Sequence, residues 1–191
     1  MAKTDPEAIK REKRKNIQWV VTIFLMTIFI SGAISLVSDA VMGNSSILVA
    51  FCILLCIIFL GILFDIVGMA VATADEKPFH SMAARKVPGA QESIRLLRNA
   101  ERVSSVCNDV VGDICGVVSG SASATIAALV LSSVDVGWPR GISLLMSALV
   151  AGLTVGGKAI GKSVAVKSST RIVHMVGRVI HGMNRLSKKN K

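Results

Sequence analysis

Three carboxylates stand in otherwise apolar stretches of this chain, and their chemistry needs the most explanation. Asp109 and Asp113 are four residues apart, so on a helix they point the same way. Asp65 lies inside a second apolar stretch. A carboxylate at membrane depth costs on the order of 2–4 kcal/mol, so it faces a cavity, a partner or an ion. No Lys or Arg is expected inside the apolar stretches to neutralise these three. That leaves protonation, polar hydrogen bonds or a bound cation. An oxygen-only set of Asp109, Asp113 and Asn108, with Asp65 and Ser119 as further donors, suits a hard ion such as Mg2+ rather than zinc. The plainer alternative is that Asp109 and Asp113 lie near the cytoplasmic end of their helix and are partly hydrated.

The remaining constellations point to less. Residues 156–163 match the spacing of a phosphate-binding loop, G-x-x-x-x-G-K-S. That motif works between a buried strand and a helix, and no strand–helix alternation exists here, so a helix exit carrying Lys158 and Lys162 is expected instead. His174 and His181 fall seven apart on one side of a helix without further ligands nearby, and His80 stands alone. Cys52, Cys56, Cys107 and Cys115 show no metal spacing and read as small buried apolar residues. No Ser-His-Asp, paired-Glu or zinc arrangement occurs, and a non-enzyme is expected.

The elements that must hold these residues are membrane helices. Hydrophobic residues make up 52% of the 191 and charged residues 18%. That balance is unlike a typical soluble domain. Residues 17–37, 47–74, 104–131 and 138–157 are each long and apolar enough to cross a bilayer, which takes roughly 20 residues. The first is too long for a typical signal core and is read as a retained helix. Of the 22 Lys and Arg, six fall in residues 1–16, six in 77–102 and nine in 158–191, which leaves only Arg140. The short connections carry Asp39 and Asp135 and no cation. Positive-inside bias then places both termini and the 75–103 loop in the cytoplasm.

The expected fold is therefore an all-α integral membrane protein of four transmembrane helices with basic amphipathic juxtamembrane helices. A basic N-terminus covers 1–16, the transmembrane domain 17–157 and a basic tail 158–191. Thr4, Asp5 and Pro6 form a helix-entry signal leading into the first span. Residues 90–103 read as one helix, with Ile94, Leu97 and Val103 near one face and Arg95, Arg98 and Arg102 largely on another. The tail repeats this pattern, its last residues, from Lys188, looking frayed. Neither the loop nor the tail can bury an independent core.

Gly112, Gly116 and Gly120, continued by Ala124 and Ala128, recur every four residues along the third span. Ala148, Gly152 and Gly156 form a second row on the fourth. Such rows let backbones approach closely, within one subunit or between two. The net charge of +10 concentrates on one side, which suits anionic lipids or a nucleic-acid backbone. The chain has no Tyr, and Phe79 is the only aromatic in the basic segments, so contacts with RNA would be made to phosphates and shape.

From Ala72 onward the order of features resembles the membrane domain of the CorC and cyclin M magnesium transporter family. Ala72-Thr73-Ala74-Asp75-Glu76 is similar to that family's small-residue helix ending in an acid. Residues 89–102 are similar to its amphipathic helix, and Asp109 and Asp113 take the spacing of two ion-holding asparagines. Residues 157–162 are similar to its Gly-Glu-Ile-x-Pro-Lys signature, with Lys158 in place of the acid and Gly161 in place of the proline. The family's nucleotide-binding domains have no counterpart here, and an extra span precedes the similarity.

Residues 74–83 and 108–115 also resemble the bacterial membrane proteins that partner a large structured noncoding RNA, the ornate, large, extremophilic (OLE) RNA. That resemblance implies a homodimeric membrane ribonucleoprotein at the bacterial inner membrane, linked to magnesium homeostasis and stress response. The RNA-binding candidates are Arg85, Lys86, Arg95, Arg98, Arg102, Lys158, Lys162, Lys167, Arg171 and Arg178. The alternative is a Mg2+ transporter whose intramembrane aspartates line the path.

Overall fold

The computed structural model describes residues 6–43, 46–133 and 138–189. Lys3, Thr4, Asp5, Asp135 and Lys191 lie outside them, as do the side chains of Lys10, Arg11, Lys13, Lys15, Asp39, Lys188 and Lys189. Among the described residues the protein is all-helical: α1 Pro6–Gly43, α2 Ile47–Thr73, α3 Lys77–Ala84, α4 Ala90–Arg98, α5 Ala100–Ser105, a π-helical turn Val106–Gly112, α6 Asp113–Ser133, α7 Pro139–Lys167 and α8 Ser169–Lys189.

Four helices are long and apolar enough to cross a membrane: Ile17–Val37, Ile47–Thr73, Ala100–Ser133 and Pro139–Lys167. The chain is thus a multi-pass membrane protein by the length and composition of its helices. α2 is the centre of the bundle and packs against α6, α7 and the π-turn. It has the highest mean hydropathy of the four, 3.4. Being apolar all round suits a helix that meets neighbours on one side and hydrocarbon on the other. Leu54 and Ile58 pack with Ala122, Ile126 and Val150 at one level of the bundle. α1 is applied from outside, with Ile23 and Ile30 meeting Val110, Ile114 and Val118.

Two boundaries differ from the sequence reading. The fourth helix does not end at Gly157 but continues without a break to Lys167, so the division between transmembrane domain and tail falls inside α7. Residues 156–163 are accordingly plain α-helix, and no loop exists there to cradle a phosphate. The expected helix over 90–103 is broken at Asn99, and Ala100 begins the third membrane helix. The expected faces hold: Ile94, Leu97 and Val103 pack inward, while Arg95, Arg98 and Arg102 are exposed.

The basic loop and the basic tail meet at one end of the bundle. The Arg102 guanidinium lies 5.3 Å from the Trp19 ring centroid, which ties the start of the first span to α5. α4 packs against α8. Their crossing is close because both sides are glycine: a Cβ on Gly89 (φ 87°) would come within 2.6 Å of the Arg178 backbone nitrogen, and one on Gly177 would strike Gly89 O and Ser93 Oγ. Ser93 Oγ lies 2.9 Å from Gly89 O and 3.1 Å from Val173 O, so its one proton links the two helices.

Candidate functional site

Asp65, Asp113 and Lys158 come together from three helices. Asp65 sits on α2 about two turns inside its Thr73 end, and Lys158 sits at a similar depth on α7. The Lys158 Nζ is 3.1 Å from Asp65 Oδ2 and 3.7 Å from Asp113 Oδ1. It also donates to the Gly112 carbonyl at 3.0 Å. Asp65 is only 3% exposed. The expectation that no cation lies inside the spans is therefore overturned, because the fourth helix extends far enough to bring Lys158 within it. This lysine, grouped by sequence with the surface cations, is turned into the bundle.

The local sequence explains how such a cluster can form. Gly112 closes the π-turn, and Asp65 Oδ1 lies where its Cβ would be. Gly68, one turn further along α2, leaves room for Asn108 and Cys107 in the same way, and Gly61 would place a Cβ 2.8 Å from the Cys115 Cβ. On the other side, a Cβ on Gly161 would come 2.8 Å from Ile66 Cγ1. Glycines on three elements thus bring α2 close to its neighbours at the level of the acid. Single π-turns inside α-helices recur at functional sites.

The other candidate ligands are placed differently. Asn108 donates its Nδ2 to Ser104 Oγ at 3.1 Å, and its Oδ1 is buried without a hydrogen-bond partner. Asp109 is exposed and forms no ion pair among the described residues. It lies within the π-turn and Asp113 directly follows it; both side chains are exposed, and of the two only Asp113 approaches Lys158 among the described residues. Among the described residues no three His, Cys, Asp or Glu side chains converge as a metal site would require. Ser119 instead lines a crevice of about 330 Å³ between α6 and α7, with Ser123, Ser147 and Thr154, and Lys158 lies at one end of it.

The small-residue row divides in two. Gly112 faces Asp65 inside the subunit, whereas a Cβ on Gly116 or Gly120 would meet nothing, and Ala124 is exposed. Ala148, Gly152 and Gly156 are likewise on the outer surface of α7. Cys107 and Cys115 are buried as expected, but Cys52 and Cys56 lie on the exposed side of α2.

The basic end is the second candidate site. Arg85, Lys86, Arg95, Lys162, Lys167, Arg171 and Arg178 are exposed, and none has a carboxylate within ion-pair distance among the described residues. Arg98 is partly neutralised by Glu76 at 3.3 Å, which His80 also approaches at 3.2 Å. Asp75 Oδ1 accepts the Lys77 backbone N–H at 3.1 Å, helping the chain enter α3. His181 Nδ1 lies 2.9 Å from Glu92 Oε1. That hydrogen bond is the main reason the Glu92 carboxyl is held below its usual range. His174 Nε2 lies 3.3 Å from Pro88 O, so these two histidines hold α8 against α4.

Lys86 has a strained backbone, with φ 57°. It occupies the left-handed position ending α3: its N–H reaches Ala83 O at 2.9 Å and the Val87 N–H reaches Met82 O at 3.0 Å. This capping arrangement ordinarily takes glycine. Phe79 is fully buried, so it cannot serve as a stacking platform. Nothing in the sequence marked Glu76, Glu92 or Ser93 as partners in this assembly, since their hydrogen bonds span 22 to 89 residues.

No protein-family model, curated protein or solved structure matches this chain.

Proposed function

We propose that the protein is a membrane-anchored scaffold that holds a large structured noncoding RNA, of the OLE type, against the inner face of a bacterial cytoplasmic membrane. The observation that carries this reading is the set of seven exposed cations on α4, α7, α8 and the α3–α4 turn at one end of the bundle, none of them in an ion pair among the described residues. A topology signal needs only a few positive charges per loop. An excess held on helices that are packed together presents a fixed field to a polyanion. With Phe79 buried and no Tyr, recognition relies on phosphates and shape. Strain of the kind seen at Lys86 clusters at functional sites. The resemblance to OLE-associated protein A supplies the class of RNA and the link to magnesium homeostasis and stress.

Both termini and the α3–α4 segment would face the cytoplasm, and Gly116, Gly120 and Ala124 offer the face for a homodimer. Anionic headgroups would neighbour the same cations. Isolating the protein from its host membrane and sequencing the bound RNA tests the proposal. A single dominant long transcript is expected, and only scattered fragments at moderate salt would refute it.

A second reading, Mg2+ transport through the intramembrane aspartates, draws on the hydroxyl-lined crevice that reaches Lys158. It requires magnesium flux in proteoliposomes that Asp113→Asn abolishes, and wild-type vesicles without flux end it.

A further inference from the structure

We infer that Lys158 is a tethered cation occupying the seat of the acidic site, so that the native protein takes no divalent ion there and would do so only once that amine is removed. An ammonium has three donors. Here three oxygens surround it: Gly112 O at 3.0 Å, Asp65 Oδ2 at 3.1 Å and Asp113 Oδ1 at 3.7 Å. These are the two carboxylates and the carbonyl that a hard cation between α2 and α6 would use. A divalent ion placed among them would meet the ammonium at close range, and the repulsion acts most strongly on the Asp65 side, where the carboxylate side chain is 4% exposed, and less beside Asp113, which is 71% exposed.

Two further observations point to a cation seat filled from within. Asn108 Oδ1 is buried without a partner and lies against Gly68, one turn from Asp65. Lys158 donates to Gly112 O and ion-pairs with the two carboxylates, and this acceptor is not among its partners. Access is also present, since the crevice of about 330 Å³ between α6 and α7 reaches Lys158. Exclusion of a metal therefore follows from occupancy by the amine. This inference does not depend on RNA binding, so failure of the scaffold reading would leave it standing, whereas magnesium flux through Asp113 in the wild type would contradict it.

Mn2+ binding to the full-length protein in nanodiscs, read by electron paramagnetic resonance, provides the test. The proteins compared are wild type, Lys158→Met, Lys158→Gln and the double variant Asp65→Asn/Lys158→Met. Wild type is expected to show no saturable site. The single variants should gain one site per chain, tighter by at least about tenfold, and Asp65→Asn should remove it. If neither single variant folds without metal, Mn2+ should raise the melting temperature of both and leave wild type unmoved. A wild-type site weakened by Asp65→Asn would overturn the inference. So would folded Lys158 variants that bind no Mn2+, or unfolded ones that Mn2+ fails to rescue.

Discussion

The Lys158 ammonium lies 3.1 Å from the Asp65 carboxylate although the two are far apart in sequence and on different membrane helices. Removing one partner of a buried pair leaves the other charge unpaired, which costs about 3–5 kcal/mol, whereas replacing both by apolar groups is close to neutral. Lys158→Met or Asp65→Leu alone should therefore lower thermal stability in detergent much more than the double variant does. Additive losses across the double-mutant cycle would show that the pair is not coupled.

The α4–α8 crossing depends on two glycines at which an added Cβ would strike backbone atoms, the Arg178 nitrogen from Gly89 and the Gly89 carbonyl from Gly177, besides Ser93 Oγ. Gly177→Ala should release α8 from the bundle and leave the four long helices in place. Limited trypsin digestion checks this: early cleavage at Arg171 and Arg178 is expected in the variant, and an unchanged pattern would contradict it.

Glu92 titrates below its ordinary value because His181 hydrogen-bonds to its charged form. A carboxyl with a depressed folded-state pKa contributes stability that is complete above its unfolded value. That contribution is lost as pH falls through the lower, folded value. Docking of α8 should thus weaken on acidification below the ordinary glutamate range of about 4.3. Hydrogen exchange of α8 measured against pH should show this acid limb in wild type and not in Glu92→Gln.

If the unpaired cations bind phosphates, neutralising Lys167, Arg171 or Arg178 should weaken RNA binding similarly for all sequences. Each phosphate interaction removed should flatten the slope of log K against log salt by about 0.7–0.9. Arg98→Ala should do less, since Glu76 already shares that charge. A filter-binding salt series distinguishes these outcomes, and equal slopes for all four variants would sink the assignment.

Lys86→Gly should relieve the left-handed strain at the end of α3 and stabilise the fold by up to about 1 kcal/mol. The same change should reduce RNA affinity. A variant that gains stability and keeps full affinity would show that Lys86 does not touch the RNA.

Composition and apolar periodicity alone determined that four helices are long and apolar enough to cross a membrane and which face of the 90–103 segment is buried. Both are local properties: hydropathy over about 20 residues needs no knowledge of the neighbours, and a 3.6-residue period separates Leu97 from Arg98 on any helix. The tertiary structure decided where Lys158 goes. Whether that lysine faces a polyanion or Asp65 depends on how far α7 continues and on how close the glycines let α2 approach. It also decided that Gly112 packs internally while Gly116 and Gly120 stay open, although the three share one repeat. Likewise, among the described residues only Asp113 of the Asp109 and Asp113 pair approaches Lys158, which their spacing does not reveal. Position along the chain fixes a residue's depth and face within its own helix, but only the packing of helices fixes what that face meets.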